Sequence, residues 1–142
     1  MEIESAKEEV NQSTILLVDD NSFNLFTLDL VLNEFCGGLK CDKALNGQEA
    51  VNMVVKNLHD GSEFKTINSL KRNCELCGKE QVQKRKLPSY KMIFMDIQMP
   101  IMDGYEASRQ IAEIYSKWQT AQGVTDEQHS LKIVAVTAFT NE

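Results

Sequence analysis

Four short apolar runs alternate with three longer segments of helical patterning. Thr14 to Val18 (Thr-Ile-Leu-Leu-Val) runs into Asp19-Asp20, and Met92 to Met95 runs into Asp96. Continuous apolar runs of this length predict strands buried on both faces, as in a parallel sheet covered by helices. Leu39 to Ala44 predicts a weaker strand, because Lys40, Asp42 and Lys43 interrupt it as suits a sheet edge. Leu131 to Thr137 predicts a further buried strand, this one ending in a hydroxyl.

Between the strands the punctuation is helical. Asn21 or Ser22 can cap a helix over roughly 23–36, and Gly37-Gly38 can stop it. Its apolar residues (Phe23, Leu25, Phe26, Leu28, Leu30, Val31, Leu32, Phe35) occupy more than one side, which predicts burial against both a sheet and a neighbouring helix. Asn46 and Glu49 have capping-box spacing and open a second helix through about Leu58, ended by Asp60-Gly61. Asp103 and Glu106 repeat that spacing and open a third, about 104–121. The order strand-helix-strand-helix-insert-strand-helix-strand implies an α/β domain with a parallel sheet and right-handed crossovers.

The chemistry concentrates on Lys91-Met-Ile-Phe-Met-Asp96-Ile-Gln-Met-Pro-Ile-Met-Asp103-Gly-Tyr-Glu106. An aspartate ending a buried strand lies at the carboxyl edge, where open α/β sheets place their chemistry. Pro100 biases Met99 away from helix, so a loop follows before the capped helix. Taken singly, Asp96 or the Asp19-Asp20 pair could be no more than helix caps. Together the acidic pair after strand one, Asp-x-x-Met-Pro-x-Met-Asp-Gly after strand three and Val-Thr-Ala after strand four are far more specific.

The segment Phe-Met-Asp-Ile-Gln-Met-Pro-Ile-Met-Asp-Gly-Tyr-Glu-Ala resembles the phosphoacceptor segment of response-regulator receiver domains, above all those of hybrid sensor histidine kinases. The resemblance implies a flavodoxin-like, three-layer α/β/α fold whose parallel sheet has the order 2-1-3-4. The family's fifth strand, with its Lys-Pro pair, and the last helices are expected to be missing. In that order strands one and three are neighbours, so Asp19, Asp20 and Asp96 meet at one edge. Three crowded carboxylates repel one another unless a cation offsets the charge, and Mg²⁺ suits few carboxylates, a carbonyl and several waters. By resemblance Asp20, Asp96 and the backbone carbonyl of Gln98 ligate Mg²⁺, Asp19 acts through water, and Asp96 accepts a phosphoryl group from a phosphohistidine. Thr137 supplies the switch hydroxyl. The implied partner is a histidine kinase or a histidine-containing phosphotransfer protein, and the implied setting a phosphorelay. Such a domain promotes its own aspartyl phosphorylation, and the chain could be a fragment of a hybrid histidine kinase. The alternative is a degenerate, receiver-like interaction module that no longer turns over phosphate. A dehalogenase-type phosphotransferase would want a second Asp two residues after the first, where Gln98 stands.

Composition narrows the setting. The chain has 142 residues, enough for one domain with a sizeable core. Its net charge of −6 argues against broad nucleic-acid binding, and no apolar stretch is long enough to span a bilayer. The four cysteines (Cys36, Cys41, Cys74, Cys77) are too few and irregular for a secreted disulfide framework, which points to a reducing, cytoplasmic setting, free or as part of a larger membrane-attached kinase. Residues 1–13 read as a polar leader or linker, and 14–142 as the domain.

About thirty residues, 61–90, stand where a connection of two to six is usual. Between Lys65 and Lys86 they carry seven basic and two acidic residues, a local +5. This reads as a solvated basic insert, or as a docking surface for an acidic partner. Cys74 and Cys77 offer only two of the four ligands of a structural zinc, with His59 the nearest spare. Cys36 and Cys41 read as buried or half-buried apolar residues, and His129 as a loop residue.

Overall fold

The computed structural model describes residues 13–60, 90–127 and 129–137. The expected leader (but for Ser13), the 61–89 part of the insert with Cys74 and Cys77, and the chain beyond Thr137 lie outside the described residues. The elements are β1 (Ile15–Val18), α1 (Ser22–Phe35), β2 (Cys41–Ala44), α2 (Gly47–Asp60), β3 (Met92–Asp96), α3 (Gly104–Gln122) and β4 (Lys132–Val136). All strand pairs are parallel, in the order β2-β1-β3-β4. The expected flavodoxin-like α/β architecture with sheet order 2-1-3-4 is therefore present.

The two-residue alternation of a strand splits the core between the faces of the sheet. Ile15 and Leu17 of β1 pack with Leu25 of α1 on one face. Leu16, Val18, Ile93 and Met95 pack on the other with Val51, Val54 and Leu58 of α2 and Ala107, Ile111 and Tyr115 of α3. Connection direction accounts for this. The β1–β2 step runs one way along the sheet, while β2–β3 and β3–β4 run the other. With right-handed crossovers α1 must then lie opposite α2 and α3. The reversal falls between β1 and β3, at the strands that end in carboxylates.

The helix caps form as their spacing predicts. Asn21 accepts from the amide of Phe23 at 2.9 Å, Asn46 from Glu49 at 2.8 Å, and Asp103 from Glu106 at 2.8 Å. Glu49 reaches back to the amide of Leu45 at 2.7 Å, one residue beyond the N-cap. Gly123, at φ 64°, closes α3 in the left-handed conformation that glycine adopts freely.

The structure changes the burial picture at five places. In α1 only Leu25 is buried; Phe23, Phe26, Leu30, Val31 and Phe35 are exposed, because no other described helix lies on that face. β3 is fully buried at Ile93 and Met95 but only half-buried at Met92, Phe94 and Asp96, for the same reason. β4 is mostly exposed, since no described strand pairs with its outer edge. His129 does lie in a loop, yet it is buried: the Tyr115 hydroxyl bonds its Nδ1, and the rings of Tyr115 and Trp118 flank it. Of the two described cysteines, Cys36 is exposed rather than buried and Cys41 is half-buried; burial, with Asp29 nearby, pushes the Cys41 thiol up to about 11.

Candidate functional site

The site lies at the carboxyl edge, where the direction of connection reverses between β1 and β3. Val18 pairs with Met95, so the residues following β1 and the last residue of β3 emerge side by side. Asp19, Asp20 and Asp96 each bring a carboxylate oxygen to within 4.8 Å of the others. Asp20 is exposed, whereas Asp19 and Asp96 are half-buried.

Asp19 is held in place. Its Oδ1 accepts from the Asn21 amide at 2.8 Å, and its Oδ2 from the Asn24 side chain at 3.1 Å. The amide of Asp19 continues the sheet by donating to the Ala44 carbonyl at 3.2 Å. Asn24 escaped notice in the sequence, where an asparagine in the first turns of a helix carries no signal of its own.

Asp96 has an environment that works against its charge. Burial raises its pKa, the Asp19 carboxylate raises it further, and amide donors from Gln98 and Ile97 partly offset this before Asp20 adds its own repulsion. The Gln98 amide stands 3.4 Å from Asp96 Oδ1. On the far side the Gly104 amide donates to the Ile97 carbonyl at 2.9 Å, which closes the loop after β3. A side chain on Gly104 would collide with the Asp96 carbonyl, a close approach that the Asp-Gly pair did not announce beyond marking a helix start.

Thr137 is exposed and follows Val136, the register partner of Asp96. The hydroxyl-bearing residue thus leaves the sheet one position beyond Asp96 on the neighbouring strand. Sequence-derived candidates Asp19, Asp20, Asp96, Gln98 and Thr137 accordingly share one edge of the sheet.

Three hard, crowded oxygen donors fit a small divalent cation such as Mg²⁺. The same crowding that raises the Asp96 pKa would be relieved by the ion's charge. Of the methionines around the site, Met95 and Met99 are buried in the core and Met102 packs against it, while Met92 is half-buried.

No family model matches the chain. Over 104 residues it is 30% identical to the hybrid signal transduction histidine kinase L of Dictyostelium discoideum, which is 73% of this chain and 4% of that protein. It therefore spans a small part of the curated relative it matches. Among solved structures it is similar to the receiver domain of the histidine kinase CKI1 from Arabidopsis thaliana complexed with Mg²⁺ and BeF₃⁻. That likeness has 29% identity and a TM-score of 0.58, covering 90% of this chain and 67% of the other. This is a receiver-type domain. The same CKI1 receiver complexed with Mg²⁺ alone matches at 28% identity and a TM-score of 0.58, over 92% of this chain and 70% of that one. The receiver-type domain also shares its fold with the Saccharomyces cerevisiae response regulator Ssk1, crystallised with the histidine phosphotransfer protein Ypd1. That match has 24% identity and a TM-score of 0.56, covering 92% of this chain and 66% of that one.

Proposed function

We propose that this domain is the phosphoacceptor of a phosphorelay, taking a phosphoryl group from a phosphohistidine onto Asp96. The observation that carries the reading is the meeting of Asp19, Asp20 and Asp96 at the point where the sheet reverses. Asp20, Asp96 and the Gln98 carbonyl would hold Mg²⁺, with Asp19, steered by Asn24, acting through water. When bound, the ion supplies positive charge against the carboxylates and the phosphoryl oxygens.

The chain's own residues do the rest. An Asp96 carboxylate oxygen forms the new bond to phosphorus as the P–N bond to the donor imidazole breaks. The electron pair of that bond stays on the ring nitrogen, and the proton on the ring lets it leave neutral. The product is an aspartyl phosphate, whose oxygens can accept from the Thr137 hydroxyl, the local event a phosphorylation switch needs. The donor would be a histidine kinase or a histidine-containing phosphotransfer protein, and the setting cytoplasmic, free or within a larger membrane-attached kinase. No described helix is long and apolar enough to cross a membrane.

Incubation with acetyl phosphate and Mg²⁺ tests the reading: the parent chain takes label and Asp96→Asn does not. Equal labelling of both would sink it. The second reading, a receiver-shaped interaction module without phosphate turnover, draws on the exposed apolar residues of α1. It is favoured if neither protein takes label while both remain folded.

A further inference from the structure

At the opposite edge of the sheet, where the strands begin, one carboxylate takes two hydroxyls. Asp42 of β2 accepts from the Ser13 hydroxyl at 2.7 Å on Oδ1 and from the Tyr90 hydroxyl on Oδ2. Ser13 leads into β1 and Tyr90 into β3, with β1 between the other two strands. The Asp42 side chain thus ties the starts of three strands together. Tyr90 is 4% exposed and packs in the core beneath α2 and α3. Burial and the Asp42 carboxylate both push its hydroxyl above the ordinary phenol range, so it stays a donor. The ladder continues from this point. The Lys91 amide donates to the Thr14 carbonyl at 2.9 Å, and the Lys91 carbonyl accepts from the Lys132 amide at 3.0 Å. Ile15 then pairs with Met92, and the register runs on to Val18 and Met95, just short of the acidic centre.

β3 needs such a tie. Its run Met-Ile-Phe-Met is apolar at every position, so a slip exchanges one apolar side chain for another and the pattern barely opposes it. α2 ends at Asp60 and β3 begins at Met92. That connection is far longer than the usual length of about two to six residues, and a long connection dictates no register. Yet register decides the site. A slip of one residue would move Asp96 by about 3.3 Å along the strand and turn its side chain to the other face. The three carboxylates meet only because their oxygens lie within 4.8 Å of one another.

We infer that Asp42 and Tyr90 are positioning residues, which set the register of β3 and so deliver Asp96 to Asp19 and Asp20. The inference rests on the phosphoacceptor reading for its purpose, while the register lock itself is measurable without it.

Variants of the full chain test this. Tyr90→Phe keeps the ring and removes the donor. It is expected to speed amide exchange over 92–96, measured without cation, about tenfold more than in α2, and to weaken Mg²⁺ binding about two- to fivefold. Asp42→Leu removes the acceptor and is expected to do the same, with the double variant no worse than either, because the pair acts as one unit. Asp42→Asn keeps an acceptor for Tyr90 and is expected to hold exchange and affinity near those of the parent chain. Exchange in Tyr90→Phe that is unchanged, or that rises no more in β3 than in α2, overturns the register lock, as does additive loss in the double variant. Faster β3 exchange with unchanged Mg²⁺ affinity overturns the positioning role. A parent chain that binds no Mg²⁺ sinks the functional reading and the positioning role with it; the exchange measurement still decides whether Asp42 and Tyr90 lock the strand.

Discussion

Gly104 lies so close to Asp96 that a Cβ on it would sit 2.1 Å from the Asp96 carbonyl oxygen, far inside van der Waals contact. The third helix therefore starts directly against the strand that carries the central carboxylate. Backbone cannot yield as a flexible side chain would. Gly104→Ala is expected to cost at least about 1–3 kcal/mol of stability. The expected loss appears as a lower urea midpoint, with reduced labelling of Asp96 where the fold survives. An unchanged midpoint would show that the helix start can shift without penalty.

Asp96 gives a pH prediction whose sign follows from its raised pKa. The folded form holds the proton more tightly than the unfolded chain, whose carboxyl titrates near the usual 3.8. Stability from this group is thus fully present below 3.8 and is lost as pH rises through the raised folded value. Without divalent cation Asp96→Asn should melt higher than the parent at about pH 7, with the gap closing near about pH 3. Mg²⁺ should also narrow the gap, by stabilising the parent alone. A variant that melts lower at neutral pH contradicts the crowding argument.

Asp19 and Asp20 should separate in a Mg²⁺ titration. Asp20 is exposed and makes no described hydrogen bond, whereas Asp19 is already engaged by Asn21 and Asn24. Asp20→Ala is expected to weaken binding about tenfold or more, equivalent to about 1.4 kcal/mol, and Asp19→Asn less. The reverse ranking would exchange their roles.

Tyr115 and His129 form a buried polar contact far from this edge. Burial, with Asp126 nearby, pushes the Tyr115 hydroxyl up to about 12. Tyr115→Phe strips the partner from His129 Nδ1 while leaving the ring volume nearly intact, so a cost of about 1–3 kcal/mol is expected. Denaturant melts should show a lower midpoint with an unchanged slope. No shift would mean that water replaces the hydroxyl.

The exposed side chains of α1 and the outer edge of β4 predict association of the 142-residue chain expressed alone. Phe23 and Phe35 are 71% and 82% exposed, and each large apolar side chain left in water forgoes about 1.5–3 kcal/mol. An apolar edge strand adds a template for pairing. Sedimentation should show oligomers, and Val134→Lys should reduce them by charging that edge. A sharply melting, monomeric parent chain would refute the prediction.

Much of this molecule could be read from local pattern. A continuous apolar run ending in Asp96 marked β3 to the residue, because a strand needs only its own side chains to declare its period. Asn21, Asn46 and Asp103 marked the helix starts, because a cap bonds to amides two or three residues away. The sheet order, and with it the meeting of three aspartates, came from the wording around Asp96 and its family likeness rather than from periodicity.

What tertiary structure decided depends on elements distant in sequence. The apolar breadth of α1 suggested burial, but exposure is settled by which elements arrive beside a helix, and in the described residues none does on that side. His129 is the loop residue the sequence suggested, but its burial came only when α3 brought Tyr115 and Trp118 over it. Asn24 met Asp19 only because a helix turn returns five residues back to the strand end. Ile101, at φ 74°, took a strained turn because Met99 and Met102 are both drawn to the core within four residues, a demand made by packing. Local sequence determined the elements and their ends through short-range bonding and side-chain period; burial, close approach and strain were decided only when the layers packed, since each is a relation between segments that the chain order keeps apart.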